Sequence, residues 1–227
     1  MNITILLAGF LFLFIFVLQI AMAAFGYILE PRPKHFDSDA VLQKINKEPK
    51  KFQISIVFAL IEHVCVIILA MLLFVVFSPY YLILGIVLLI FRIAEGSIQV
   101  YIEKDYWKLF DIAQQYTGTS GTEKNALFDS FQTILQTKSS RFAIAMICWS
   151  IGTLAFSIML VTFVVITPII GWIGIIASIL VGFSNGIKLV QHDSKVYEVL
   201  SSIGGLAAIL FEVIIGGWLI FYSLLIL

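Results

Sequence analysis

The chain has 227 residues, of which 61% are hydrophobic and only 12% charged, and its formal net charge is zero. A soluble domain is nearer half apolar and about a quarter charged, so much of this surface must face a solvent other than water, and a bilayer is the obvious one. Neutrality gives no footprint for nucleic acid. The two cysteines, Cys65 and Cys148, both sit in apolar runs and offer neither a disulfide framework nor a CxxC metal spacing.

A membrane span needs roughly 20 apolar residues. The first such run covers about residues 3–29. No Lys or Arg precedes it, and it far exceeds the roughly 7–15 apolar residues of a signal peptide, so a retained span is expected. A polar connection over 30–53 leads to the second span, 54–77, and "SPYY" turns directly into the third, 80–102. The loop 103–141 then places Tyr106, Trp107, Phe110 and Ala113 at near-helical spacing, and Leu127, Phe131, Ile134 and Leu135 on one face, with "TGTSGT" between. Two short amphipathic helices lying near the headgroups are expected there, the alternative being a helical extension of span three followed by a disordered link. Span four covers 142–166, "TP" turns into span five at 169–190, and span six covers 203–227. Pro79 and Pro168 each stop one helix and admit the next. The predicted fold is all-α: a polytopic membrane protein with six transmembrane helices in one bundle, a single domain over 1–227.

Thirteen of the fourteen basic residues fall in the connections 30–53 and 103–141 or at the junction of spans five and six, all on one side. The positive-inside rule puts these loops in the cytoplasm and both termini outside, in a plasma or inner membrane. The fourteenth, Arg92, lies within span three.

Charges at mid-bilayer cost roughly 2.5–3.5 kcal/mol each on insertion scales. The spans nevertheless contain Glu62, His63, Arg92, Glu95 and Glu212. The tight turn at Pro79 acts as a ruler: Glu62 is level with about residue 97 and His63 with about 96. Glu95 is then within about 3 Å of Glu62 in height, at roughly 1.5 Å per residue. Glu212 and Asn185 come out at similar depths from the loop side. Arg92, Glu95 and Gln99 share one helix face, and Arg92 is expected to pair with Glu95, Glu62 or both. Glu62, His63, Arg92, Glu95, Gln99, Asn185 and Glu212 thus form the candidate intramembrane polar cluster.

No HExxH or comparable spacing supports a metal, and adjacent Glu62 and His63 should point about 100° apart on a helix. No nucleophile elbow, GxGxxG or P-loop is present, so no cofactor is implied and no catalytic residue is assigned. His192 and Asp193 read as a solvated linker, and Gly204-Gly205 and Gly216-Gly217 as sites of close helix packing. "SPYYLILGIVLLIFRIAEG" and "TPIIGWIGIIASILVGFSN" align from their prolines without a gap, both turning polar at the same depth.

The tight hairpin into "IFRIAEGSIQV", the long third loop and "TPIIGWIGIIASILVGFSNGIKLV" resemble the prokaryotic membrane family known as domain of unknown function 4386. The Phe91-Arg92 pair and the run Pro168, Gly171, Trp172, Ile173 and Gly174 carry the likeness. It implies the six-span architecture and adds no activity. Three function classes remain open. One is binding or moving a small solute or proton, with Arg92 as cationic anchor and Glu62, Glu95 and Glu212 as acidic partners. The second is a scaffold docking a partner or membrane lipid through loop 103–141. The third, a lipid-modifying enzyme, has least in the residues to support it.

Overall fold

The computed structural model describes residues 2–27, 37–162, 167–191 and 195–225. These form seven helices and no strand: α1 (Asn2–Ala24), α2 (Ser38–Lys47), α3 (Pro49–Phe77), α4 (Leu82–Tyr116), α5 (Thr122–Thr162), α6 (Pro168–Val190) and α7 (Lys195–Leu225). All but α2 are long and apolar enough to cross a membrane, and they correspond to the six spans read from the sequence.

The two prolines act as expected. α3 closes at Phe77 with Ser78 N–H bonded to the Phe74 carbonyl, and Pro168 occupies the first turn of α6. The end of α1 is set by Gly26. Its φ of +90° lets the chain turn, with Gly26 N–H bonding Ala23 O and Tyr27 N–H bonding Met22 O. This pair of bonds ends a helix wherever a glycine can take the left-handed position, and here it presents Tyr27 to the bundle.

Each span packs on its neighbours in chain order, α3 on α4, α4 on α5, α5 on α6 and α6 on α7, while α1 lies between α3 and α7 and closes a ring. The α1–α7 seam depends on two glycines: a Cβ on Gly9 would lie 2.8 Å from the Gly216 carbonyl oxygen, and one on Gly216 would lie 2.8 Å from Phe12 Cβ. Gly204 packs likewise against Leu180, whereas Gly205 and Gly217 meet nothing. Of the two glycine pairs read as packing sites, one member each does the packing.

Among the described residues, two large apolar cores stack along the ring, with a smaller cluster of Trp149, Ala177 and Val181 beside them. One, toward the turn at Pro79 and the two termini, joins Phe12, Leu69, Phe77, Leu88, Phe156, Met159, Phe211 and Ile215. The other, at the loop end, joins Leu42, Ile45, Phe52, Ile56, Ile102, Tyr106, Leu109, Phe131 and Leu135. Around the outside, Phe10, Val75, Ile90, Phe183 and Leu206 are exposed, as a lipid-facing surface should be.

The loop 103–141 differs from the sequence reading in one respect. Its two amphipathic segments are helical, but they continue α4 and α5 rather than forming separate short helices. No Gly or Pro interrupts the chain from Ser97 to Thr117, nor from Thr122 to Ile151, and polarity alone does not end a helix. α4 and α5, with 35 and 41 residues, are about 50 and 60 Å long at roughly 1.5 Å per residue, well beyond a hydrocarbon core of about 30 Å. Their projecting ends pair through the turn at Gly121, where φ is +68°. The apolar faces read as membrane-facing turn inward, onto each other and onto α2, an additional helix in the connection 30–53. Asp37 caps α2 by accepting from Ala40 N–H at 3.1 Å. His192 and Asp193 lie outside the described residues.

Candidate functional site

The ring encloses a cavity of about 260 Å³ between the two cores, lined from all six spans. Glu62, His63, Arg92, Glu95, Gln99, Asn185 and Glu212 all reach its wall. The hairpin ruler holds in detail: a Cβ on Gly96 would lie 3.2 Å from the His63 carbonyl oxygen, the level predicted for residue 96.

Arg92 is 4% and Glu95 2% exposed, and Arg92 Nη1 lies 2.8 Å from Glu95 Oε2. α5 makes room for the arginine stem at Gly152, where a Cβ would meet Arg92 Cγ at 2.8 Å and Cδ at 3.1 Å. Glu212, from α7, accepts Trp149 Nε1–H at 3.0 Å. Asn185 bonds within its own helix, donating to Val181 O at 2.9 Å.

Glu62 and His63 depart from the expectation that neighbours on a helix point apart. His63 Nδ1 is 2.5 Å from Glu62 Oε2, and His63 Nε2 is 3.1 Å from Glu103 Oε1. α3 is flanked by both α1 and α4, so its inward arc is wide enough for two successive residues, and the imidazole swings between the carboxylates. Gln19 of α1 donates to Glu62 Oε1 at 3.2 Å, and Tyr27 donates its hydroxyl to Glu103. The result is a continuous polar line, Glu62–His63–Glu103–Tyr27, running from the cavity toward the loop end. Burial, then the neighbouring Tyr106 and Glu103, push the Tyr27 hydroxyl well above its ordinary range, so it carries its proton and acts as a donor. Beside it, Lys138 Nζ stands 4.5 Å above the Tyr106 ring, and the Tyr27 and Tyr106 rings stack at 4.1 Å.

Buried polar atoms normally find hydrogen-bond partners. Here Glu62 Oε2, His63 Nδ1, Arg92 Nη1, Glu95 Oε2 and Glu103 Oε2 are buried without an aligned one. The Arg92–Glu95 and Glu62–His63 contacts are close enough for ion pairs, but their geometry lies off the hydrogen-bond line. Of the five, only Glu103 Oε2 stands outside these two ion pairs. Among the described residues, no set of three or more His, Cys, Asp or Glu is arranged to hold a metal ion.

Sequence reasoning did not place Gln19, Tyr27, Glu103, Lys138 or Trp149 at the site. Gln19 had a signal, as an amide deep in an otherwise apolar span. Glu103 and Lys138 had none, because they belong to a loop if a span is taken to end at its first charges.

A family model described as "Domain of unknown function (DUF4386)" matches residues 7–222. No curated protein and no solved structure matches the chain.

Proposed function

The chain belongs to the DUF4386 family, and for this multi-pass membrane protein we propose a role in binding and moving a small solute through the cavity inside its ring. The carrying observation is that all six spans contribute to one cavity lined by buried ionisable side chains, Glu62, His63, Arg92 and Glu95 among them. Its volume is just below the roughly 300–1,000 Å³ of drug-sized pockets, which favours a small solute. The Glu62–His63–Glu103–Tyr27 line supports proton exchange between the cavity and the loop end, since carboxylate–histidine chains are the usual proton relays in membranes. By the distribution of Lys and Arg, that end faces the cytoplasm, in a plasma or inner membrane. The apolar core at the opposite end closes the cavity there, so movement requires a second conformation.

The scaffold reading has less support. The apolar stripe of 103–141 is already spent inside the loop-end core, with Phe131 and Leu135 buried.

Solvent access tests the proposal. Ala208 lines the cavity one turn from Glu212. With Cys65 and Cys148 replaced by alanine, Ala208→Cys in reconstituted vesicles should react with a small membrane-impermeant methanethiosulfonate. If that thiol stays unmodified from both faces while Thr119→Cys in the exposed turn reacts, solutes do not reach the cavity and the proposal fails.

A further inference from the structure

The ring closes unevenly at the seam between α1 and α7. The close approaches lie in the half nearest the termini: a Cβ on Gly9 would meet Gly216 and Ile220, and one on Gly216 would meet Phe12 and Leu13. The helices run antiparallel, so Gly9 lies level with about residue 218 and Ile20 with about residue 207. A step of seven residues drifts only about 20° around a helix. From Gly216 such steps lead to Ile209 and Ser202, from Leu13 to Ile20, and from Gly9 to Phe16 and Ala23. Exposure climbs along each row. Gly216 is buried, Ile209 is 41% exposed and Ser202 is exposed. Gly9 is buried, Phe16 half-buried and Ala23 exposed, while Leu13 is half-buried and Ile20 is 55% exposed. α1 and α7 therefore part toward the loop end.

The seams on either side stay shut at that level. Between α1 and α3, Gln19 donates to Glu62, and the Phe25 and Phe58 rings meet edge to face at 5.6 Å. Between α6 and α7, a Cβ on Gly204 would lie 3.1 Å from Leu180 Cβ, and Lys188 Nζ stands 5.5 Å from the Tyr197 ring. The parting between α1 and α7 leads inward. Ile209 belongs to the cavity wall despite its exposure, and so does Gly205, where a Cβ would meet nothing within 4 Å. Beside this slot the same wall is polar from Tyr27 and Ser201 at the loop end down to Glu212 and Arg92. An apolar slot open to the bilayer thus runs alongside a polar track that starts at the membrane edge. An amphiphile satisfies both. Its head follows the track without crossing hydrocarbon, where an unsatisfied polar group is costly, and its chain stays in the slot.

We propose that the cavity opens sideways to the loop-side leaflet between α1 and α7, and that its solute is a single-chain amphiphile with a small hydrogen-bonding head. This rests on the reading of the cavity as a solute site and names its ligand class and route. The head lies among donors and acceptors, Arg92, Gln19 and Glu212, and the chain passes out between Ile20 and Ile209.

The test uses the full chain in phosphatidylcholine vesicles, with Trp107, Trp172 and Trp218 changed to phenylalanine so that Trp149, on the cavity wall, is the remaining tryptophan. Bromine quenches a tryptophan that it touches. The probes are hexadecanol brominated next to its hydroxyl group and, as the same head without a chain, bromoethanol at equal total concentration. The long-chain probe should quench Trp149 saturably, and bromoethanol should not. Gly205→Phe fills the slot and should weaken that quenching about tenfold in apparent Kd. Gly205→Leu, a smaller filling, should act in the same direction should the larger one fail to fold, as melting temperature will show. Leu206→Phe, at a neighbouring position that is 70% exposed, should behave as the parent. Bromoethanol quenching as strong as that of the long-chain probe overturns the amphiphile and leaves a solute site filled from water. No quenching by either probe overturns the amphiphile, and the reaction of Ala208→Cys then decides the solute site by itself. Long-chain quenching unchanged in both Gly205 variants places the entry elsewhere and overturns the proposal.

Discussion

Gly152→Ala tests how tightly the buried arginine is built in. The new Cβ would lie 2.8 Å from Arg92 Cγ, 3.1 Å from Cδ and 3.4 Å from the backbone nitrogen. The first of these is closer than real Cβ contacts come, and Cγ is near the root of the side chain, where little movement is available. Overpacking of this kind costs typically about 1–3 kcal/mol, while glycine to alanine in a helix returns about 1 kcal/mol. The net loss is about 1 kcal/mol, or a fall of about 2–4 °C for a chain of this size. Gly217→Ala is the matched control, because its Cβ meets nothing within 4 Å, and it should be neutral or raise the melting temperature by a similar amount. The assay is thermal unfolding of both variants in the same detergent. Repeating Gly152→Ala in an Arg92→Ala/Glu95→Ala background should abolish the penalty. Equal melting temperatures for Gly152→Ala and Gly217→Ala, or a penalty that persists without Arg92, would show that the notch does not hold the arginine.

Arg92→Met and Glu95→Gln should each destabilise the protein strongly, by about 3–5 kcal/mol, because each strands a buried partner. The double variant should recover most of that loss in the same melting assay, and a double variant as unstable as the sum would deny that the two groups pair. Gly9→Ala and Gly216→Ala should both open the α1–α7 seam and lower the melting temperature by several degrees, since each Cβ would come within 3 Å of the other helix; wild-type stability would place the seam elsewhere. The Tyr27 hydroxyl, raised by burial, favours the folded state while protonated. That contribution is complete at neutral pH and is lost as pH climbs past the ordinary tyrosine range near about 10. Tyr27→Phe should therefore flatten the alkaline side of the plot of melting temperature against pH, and an unchanged alkaline limb would count against the burial of this group.

The parts of the fold legible in the sequence are those that periodicity and punctuation control. Apolar run length located the spans, Pro79 and Pro168 located the hairpins, and a fixed rise per residue put Glu62, His63 and Glu95 at one level, with Arg92 about a turn away. Helix ends without punctuation were not legible. Reading a span as ending at Glu103 mistakes the end of the apolar run for the end of the helix, whereas α4 continues to Tyr116 because nothing before Thr117 breaks it. α2 carried local signals, a capping Asp37 and Val41, Leu42 and Ile45 on one face, but at ten residues it lies within a connection dense in lysines. Rotation was the least legible quantity. Whether Glu62 and His63 diverge or converge depends on how wide an arc α3 turns inward, which is set by the placing of α1 and α4 and not by α3 itself.

The ring itself explains why a cavity exists. Neighbouring helices pack about 8–10 Å apart, so helices on opposite sides of a six-membered ring lie about twice that far from one another. With helix diameters near 10 Å, a central space of several ångströms is left that no backbone fills. At one end the chain fills it with large apolar side chains, Phe12, Phe77, Phe156, Met159 and Phe211. At the level of Arg92 it does not, and places carboxylates, an imidazole and a guanidinium there instead. As adhesive these are poor, since polar contacts between membrane helices average about 0.6 kcal/mol against a desolvation penalty several times larger. A phenylalanine plug would be the more stable filling. The polar lining is therefore poorly explained as what holds the ring together, and this supports the proposed role in taking up a solute.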